Sequence, residues 1–177
     1  MSNLILIGPM GAGKTTNGKW LARQLGKTFI DMDAYIEQKT GTGITHIFEL
    51  EGEAGFRQRE AAALAEILAA DNQVIATGGG SILLDANREL MKRRGLVLYM
   101  HIPPEMQLQR LLNDRKRPLL QTGDRAERLQ QLAAVRTPIY QSCADIKIDI
   151  SRMPMSQIRP HLLQTLLEHG MSNNHHA

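Results

Sequence analysis

The densest chemistry in the chain lies near its start, where Gly8-Pro9-Met10-Gly11-Ala12-Gly13-Lys14-Thr15 fits the phosphate-loop pattern G-x-x-x-x-G-K-[ST]. In such a loop successive backbone N–H groups can turn inward around a phosphate, and the helix that follows adds its unpaired donors and positive dipole end. Lys14 has the reach to touch β- and γ-phosphates, and the Thr15 hydroxyl can ligate Mg²⁺. The surrounding residues fit that use. Leu4-Ile5-Leu6-Ile7 reads as a short buried strand, and Thr16 to Leu25 has helical composition ending before Gly26. The plainer reading is a glycine turn on a strand-to-helix corner.

A second run, Thr28-Phe29-Ile30-Asp31, ends in Asp31-Met32-Asp33. Two carboxylates one residue apart, beside a phosphate loop, suggest a division of labour. One faces a metal, directly or through water; the other orients the attacking hydroxyl and accepts its proton. Spacing alone also permits Asp33 to cap a helix starting near Ala34, with Asp31 a solvated loop acid. A third run, Gln73 to Thr77, leads into Gly78-Gly79-Gly80 without a terminal Asp, which leaves Asp31 as the candidate metal ligand. Three consecutive glycines are costly to order; close approach of backbone N–H groups to a substrate or γ-phosphate would justify them, and the plainer reading is a mere loop. Arg57 and Arg136 can each grip a carboxylate through two parallel N–H···O contacts, a geometry Lys cannot copy. Either could equally be a surface residue. The basic run Arg115-Lys116-Arg117-Pro118-Leu119-Leu120 suits a mobile lid over about 113–123 that sets Arg117 on a transferring phosphoryl group, or else a solvated loop.

These side chains need a frame. Strand-like runs recur at 4–7, 28–31, 73–77, 96–102 and 145–150, separated by helical patterning. Ala61, Leu64, Ala65 and Leu68, and again Ile158, Leu162, Leu163 and Leu166, follow amphipathic helical spacing. Asp124 with Glu127 reads as the capping-box start of a helix over about 125–135. The alternation predicts an α/β domain with a parallel sheet covered by helices on both faces. Ligands in such sheets bind beyond the carboxyl ends of the strands, where the residues above fall. The segment about 33–61 reads as an insert on this scaffold. The domain spans 1–170, and residues 171–177 form a polar, flexible tail.

Composition narrows the classes. The chain has 177 residues, 42% apolar and 22% charged, enough for one domain with an ordinary core. No apolar run approaches membrane-spanning length and none resembles a signal peptide. A lone cysteine, Cys143, fits a reducing cytoplasm. A net charge of +3 with scattered Lys and Arg, and few aromatic residues, argues against a nucleic-acid surface. His46 and His101 have no partner at metal-ligand spacing, so no zinc site is expected.

Taken together, Gly8–Thr16, Asp31-x-Asp33, Gly55-Phe56-Arg57 with Glu60, Thr77-Gly78-Gly79-Gly80, Arg117-Pro118-Leu119-Leu120 and Arg136-x-Pro138-x-Tyr140 resemble the shikimate kinase family in order and spacing, over about residues 3–168. The resemblance implies a three-layer phosphate-loop kinase of the nucleoside monophosphate kinase fold, with five parallel strands in the order 2-3-1-4-5. It implies transfer of the ATP γ-phosphate to the 3-hydroxyl of shikimate, on the path to chorismate and the aromatic amino acids, by a cytoplasmic and often monomeric enzyme. By matched position, Gly11, Ala12, Gly13, Lys14, Thr15 and Thr16 hold ATP phosphates, and Thr15 with Asp31 holds Mg²⁺. Asp33 is the base and binds ring hydroxyls; Arg57 and Arg136 clamp the shikimate carboxylate; Gly79 and Gly80 touch substrate and γ-phosphate. Lys14 and Arg117 join Asp33 in catalysis, and Arg110 and Pro154, with Arg152 nearby, flank adenine. The chain departs from the family at Asn17, where a small apolar residue is usual, and at Trp20.

Other readings stay open on the residues alone. A gluconate-type or nucleoside monophosphate kinase shares the fold, but the insert offers only Tyr35, Phe48 and Phe56 for base stacking. A non-catalytic ATP-binding regulator would be expected to have lost Lys14, Asp33 or Arg117, and all three are present.

Overall fold

The computed structural model of the chain describes residues 3–111 and 124–172. Five strands, β1 (Asn3–Ile7), β2 (Thr28–Asp31), β3 (Gln73–Ala76), β4 (Gly95–His101) and β5 (Ile146–Asp149), form one parallel sheet in the order β2-β3-β1-β4-β5. Seven helices are seen among the described residues: α1 (Lys14–Leu25), α2 (Met32–Thr40), α3 (Ile44–Ile67), α4 (Asp85–Arg94), α5 (Pro104–Leu111), α6 (Arg125–Cys143) and α7 (Met155–Glu168). The three-layer α/β architecture and its strand order agree with the sequence expectation.

Alternation along the strands builds two cores from one sheet. Leu4, Leu6, Val74, Leu98 and Met100 pack with Leu21, Ala22 and Leu25 of α1 and Ile158, Leu162 and Leu166 of α7. Their sequence neighbours Ile5, Ile7, Ile75, Val97 and Tyr99 point to the other face, against Leu64 and Ile67 of α3, Met91 of α4 and Tyr140 and Cys143 of α6. Burial on both sides explains why these strands read as continuous apolar runs. Each fully buried Leu or Ile contributes about 1.5–3 kcal/mol, and Leu6→Ala would cost about 2–5 kcal/mol.

Several details differ from expectation. Helix α6 runs eight residues past its predicted end, through Pro138, because Leu129, Arg136, Tyr140 and Cys143 form one buried face along it. Asp124 does cap it, accepting from the Ala126 N–H at 2.8 Å, whereas Glu127 accepts from Gln131. Met171, placed by sequence in the polar tail, is buried in the α1–α7 core. Asn17 finds a partner in the Gly13 carbonyl oxygen at 3.0 Å. Trp20 packs beside the same core beneath the Arg159 guanidinium. Among the described residues no helix is long and apolar enough to cross a membrane.

Candidate functional site

The cleft forms where β1, β2 and β3 end. Leaving β1, the chain turns through Gly8–Gly13 into α1, with the Ala12 N–H donating to the Pro9 carbonyl at 3.2 Å. Lys14 opens α1, and its ammonium donates to the Gly8 and Pro9 carbonyl oxygens at 2.7 and 3.0 Å. One residue on, the Thr15 hydroxyl donates to Asp31 Oδ2 at 2.6 Å. The other oxygen of that carboxylate accepts from the Ala34 N–H at 3.1 Å, so Asp31 is the N-cap of α2. The helix-cap reading of Asp33 is thereby corrected. The extended backbone at Asp31 places its carboxylate over the third helical N–H, and α2 starts at Met32, leaving Asp33 in the first turn.

A cavity of about 450 Å³ is lined by Lys14, Thr15, Asp31, Asp33, Arg57 and Arg136, together with Gly78, Gly79 and Gly80. Ile44, Phe48 and Phe56 form its apolar wall, with the two phenyl rings 4.7 Å apart. These residues come from the phosphate loop, α2, α3, the β3 terminus and α6. A hydroxyl and a carboxylate in contact at Thr15 and Asp31 are hard oxygen donors of the kind Mg²⁺ takes while keeping water and phosphate oxygens as its remaining ligands. No cluster of three or more His, Cys, Asp or Glu side chains suited to a metal occurs among the described residues. The donor set therefore fits a cation shared with phosphates better than a protein-only cage.

Helix α3 breaks at Gly52, and Phe56, Arg57 and Glu60 lie on the turns after the break. Arg57 donates to Glu60 Oε1 at 2.8 Å and to Glu53 Oε1 at 3.1 Å. Glu60 is 1% exposed and also accepts from the Ser81 hydroxyl at 2.9 Å. Burial pushes its carboxyl pKa up, against the opposing pull of Arg57. Arg57 Nε is buried without a hydrogen-bond partner among the described residues. Such an orphaned donor calls for a cause.

The glycine triplet has a packing reason that its residue types alone did not disclose. A Cβ at position 78 would come within 2.6 Å of Glu60 Oε2, and one at position 80 within 2.3 Å of Arg57 Nη2. The backbone after β3 is glycine because a buried ion pair presses against it. Gly79 sits between: its carbonyl accepts from the Tyr140 hydroxyl, and Arg136 Nη1 lies 3.5 Å from where its Cβ would be. Tyr140 stacks on Tyr99 at 4.9 Å, one turn of α6 beyond Arg136. Burial lowers the Arg136 pKa, with Tyr140 acting against it; a guanidinium stays charged across the working pH range nonetheless.

Other expected residues fall elsewhere. Ala12 is buried behind the loop, and Arg110 on α5 donates to the Gly11 carbonyl at 2.8 Å. Arg152 is exposed beside Asp149, and Pro154 precedes α7 beyond β5; neither lines the cavity. Arg117 and the stretch 113–123 lie outside the described residues. Sequence reasoning gave no role to Glu60 or Tyr140. Their helical spacing, three residues after Arg57 and four after Arg136, was the available signal.

Comparisons with known proteins bear on the family. The family model described as Shikimate kinase matches residues 10–167. A shikimate kinase of Nitrosococcus oceani is 45% identical over 167 residues, 94% of this chain and 88% of its own. The solved structure of shikimate kinase from Acinetobacter baumannii in complex with shikimate superposes with a TM-score of 0.92 at 44% identity, covering 97% of this chain and 96% of that one. Deoxyadenosine kinase from M. mycoides, at a TM-score of 0.64 and 14% identity over 93% of this chain and 99% of its own, shares the fold alone. Sequence kinship along nearly its full length, and not fold likeness only, shows that the chain belongs to the shikimate kinase family.

Proposed function

We propose that the protein transfers the γ-phosphoryl group of MgATP to the 3-hydroxyl of shikimate, one step in making chorismate and the aromatic amino acids. One observation carries the reading: Lys14, Asp33, Arg57 and Arg136, drawn from four separate elements, line a single cavity of about 450 Å³. A small carboxylated polyol needs a carboxylate clamp and a hydroxyl-orienting acid beside a phosphate cradle, and all three are supplied here.

In this reading the loop amides of Gly11 to Thr16 and the Lys14 ammonium hold the phosphates. Arg57 and Arg136, which both line the cavity, hold the substrate carboxylate. Gly79 and Gly80 let the ring lie against the backbone. Asp33 orients the 3-hydroxyl and takes its proton as the oxygen bonds to Pγ and the bond from Pγ to the ADP oxygen breaks. Thr15 and Asp31 would hold Mg²⁺, which would neutralise charge on the phosphate oxygens. The apolar wall of Phe48, Phe56 and Ile44 limits water at the transfer site. The single buried Cys143 suits the cytoplasm.

The test is ADP release with shikimate, quinate, gluconate and nucleoside monophosphates as acceptors. Shikimate should be preferred by at least a hundredfold in kcat/KM. Preference for an acceptor without a carboxylate, or ATP binding without turnover on any acceptor, would overturn the proposal.

A further inference from the structure

Gln107 lies on α5, beyond the end of β4, and is only 3% exposed. Its side-chain amide donates to the Met10 carbonyl oxygen at 2.9 Å across 97 residues of sequence. No step in the proposed reaction uses it. On one side Met10 packs with Leu111 and Leu129, with Leu108 and Leu132 at the margin; on the other, Met10 and Gln107 line a small cavity with His101, Arg136 and Thr137. A buried carbonyl there requires a donor, and α5 provides one.

The position of that carbonyl gives the contact its meaning. In a planar trans peptide the C=O and the following N–H point in opposite directions. A donor gripping the Met10 oxygen from the α5 side therefore turns the Gly11 N–H the other way, toward the cavity that Met10 and Gly11 line. Gly11 has φ of +79°, a left-handed conformation from which the peptide could readily swing. Arg110, one turn further along α5, donates to the next carbonyl, Gly11 O, at 2.8 Å. The outward-facing oxygens of two successive loop peptides are thus both held by one helix.

We infer that Gln107 is a positioning residue for the nucleotide, which orients the Met10–Gly11 peptide so that the Gly11 N–H is set to receive a phosphate. The inference rests on the phosphate-loop part of the function proposed above and is independent of the acceptor. Phosphate bound to the Gly11 N–H polarises the peptide and strengthens the Met10 oxygen as an acceptor, so the nucleotide and α5 reinforce each other.

The test measures MgADP and shikimate binding separately by calorimetry on the full chain, with circular dichroism and thermal melting as controls. Gln107→Met keeps length and packing but cannot donate; Gln107→Glu sets an acceptor against the Met10 oxygen. MgADP binding should weaken about tenfold in Gln107→Met and further in Gln107→Glu, with KM for ATP raised and shikimate affinity within twofold of wild type. A residue that only fills space would leave Gln107→Met like wild type, and equal MgADP affinity in that variant overturns the inference. So does a parallel loss of both ligands. In the unaltered protein, MgADP alone should slow amide hydrogen exchange in residues 104–111; unchanged exchange there also overturns it, whether or not the variants fold. Wild-type MgADP binding without shikimate turnover would sink the acceptor assignment and leave this inference standing.

Discussion

Gly80 and Arg57 are in such close register that a methyl group on Gly80 would lie 2.3 Å from the Arg57 Nη2 atom. The guanidinium also donates to Glu60 and Glu53, so any movement away from Gly80 strains those two contacts. Gly80→Ala should therefore displace the guanidinium, at a cost of about 1–3 kcal/mol. We expect KM for shikimate to rise at least tenfold with KM for ATP nearly unchanged. Steady-state kinetics with each substrate varied in turn will decide; equal effects on both substrates would contradict the clamp.

Asp33 lines the cavity without being the cap of α2. Asp33→Asn keeps shape and removes the proton acceptor, so kcat should drop about 10²- to 10⁴-fold. ATP affinity should stay within about twofold in this variant, because Asp31 and the loop remain. Retention of more than a tenth of wild-type turnover would remove Asp33 from the role of base.

Asp31 combines two duties that substitution can separate. Asn caps helices about as well as Asp, so Asp31→Asn should keep the Ala34 contact and melt within a few degrees of wild type. It loses the charge beside Thr15, and the Mg²⁺ concentration needed for half-maximal activity should rise about 10- to 100-fold. A Mg²⁺ titration of both proteins checks this. An unchanged midpoint would leave Asp31 as a cap only.

Glu60 makes stability depend on pH in a direction opposite to an ordinary paired carboxylate. Burial holds its folded-state pKa above the ordinary 4.5 despite Arg57. The folded protein then binds this proton more tightly than the unfolded chain does. The associated stability is fully present below pH 4.5 and is lost as pH rises through the folded value. Glu60→Gln should flatten that part of the profile, seen as a smaller fall in urea midpoint from about pH 4.5 to 7. Glu60→Ala should instead cost about 3 kcal/mol by removing the buried partner of Arg57 and leaving Glu53 as its remaining carboxylate. Parallel profiles for wild type and Glu60→Gln would show that the carboxyl titrates like a surface group.

Much of this protein is written locally. Apolar runs at Leu4–Ile7 and Gln73–Ala76, the glycine loop before Lys14 and the helical spacing near Ile158 are each specified by neighbours within a few residues. For that reason the parallel sheet and its two helical layers could be read from order and periodicity. The family resemblance rested on the same short motifs, and the match to residues 10–167 agrees with it. Local signals failed where burial acted at long range. The end of α6 could not be seen at Pro138, because the buried face of Arg136, Tyr140 and Cys143 is defined by β4 and the glycine turn that it covers. Nothing local marks Gln107, whose carbonyl partner lies 97 positions away.

By itself the amino-acid order determined most of the elements and the identity of the reactive groups, since backbone preference and side-chain chemistry are properties of short segments; the strand order came from the family resemblance. Only the folded packing decided that Asp31, not Asp33, caps α2, and that Gly78 and Gly80 are small to admit the Glu60–Arg57 pair. It also decided that Lys14, Asp33, Arg57 and Arg136 share one cavity. Those facts depend on distances between segments remote in the chain, and such distances are set by how the two cores close on the sheet.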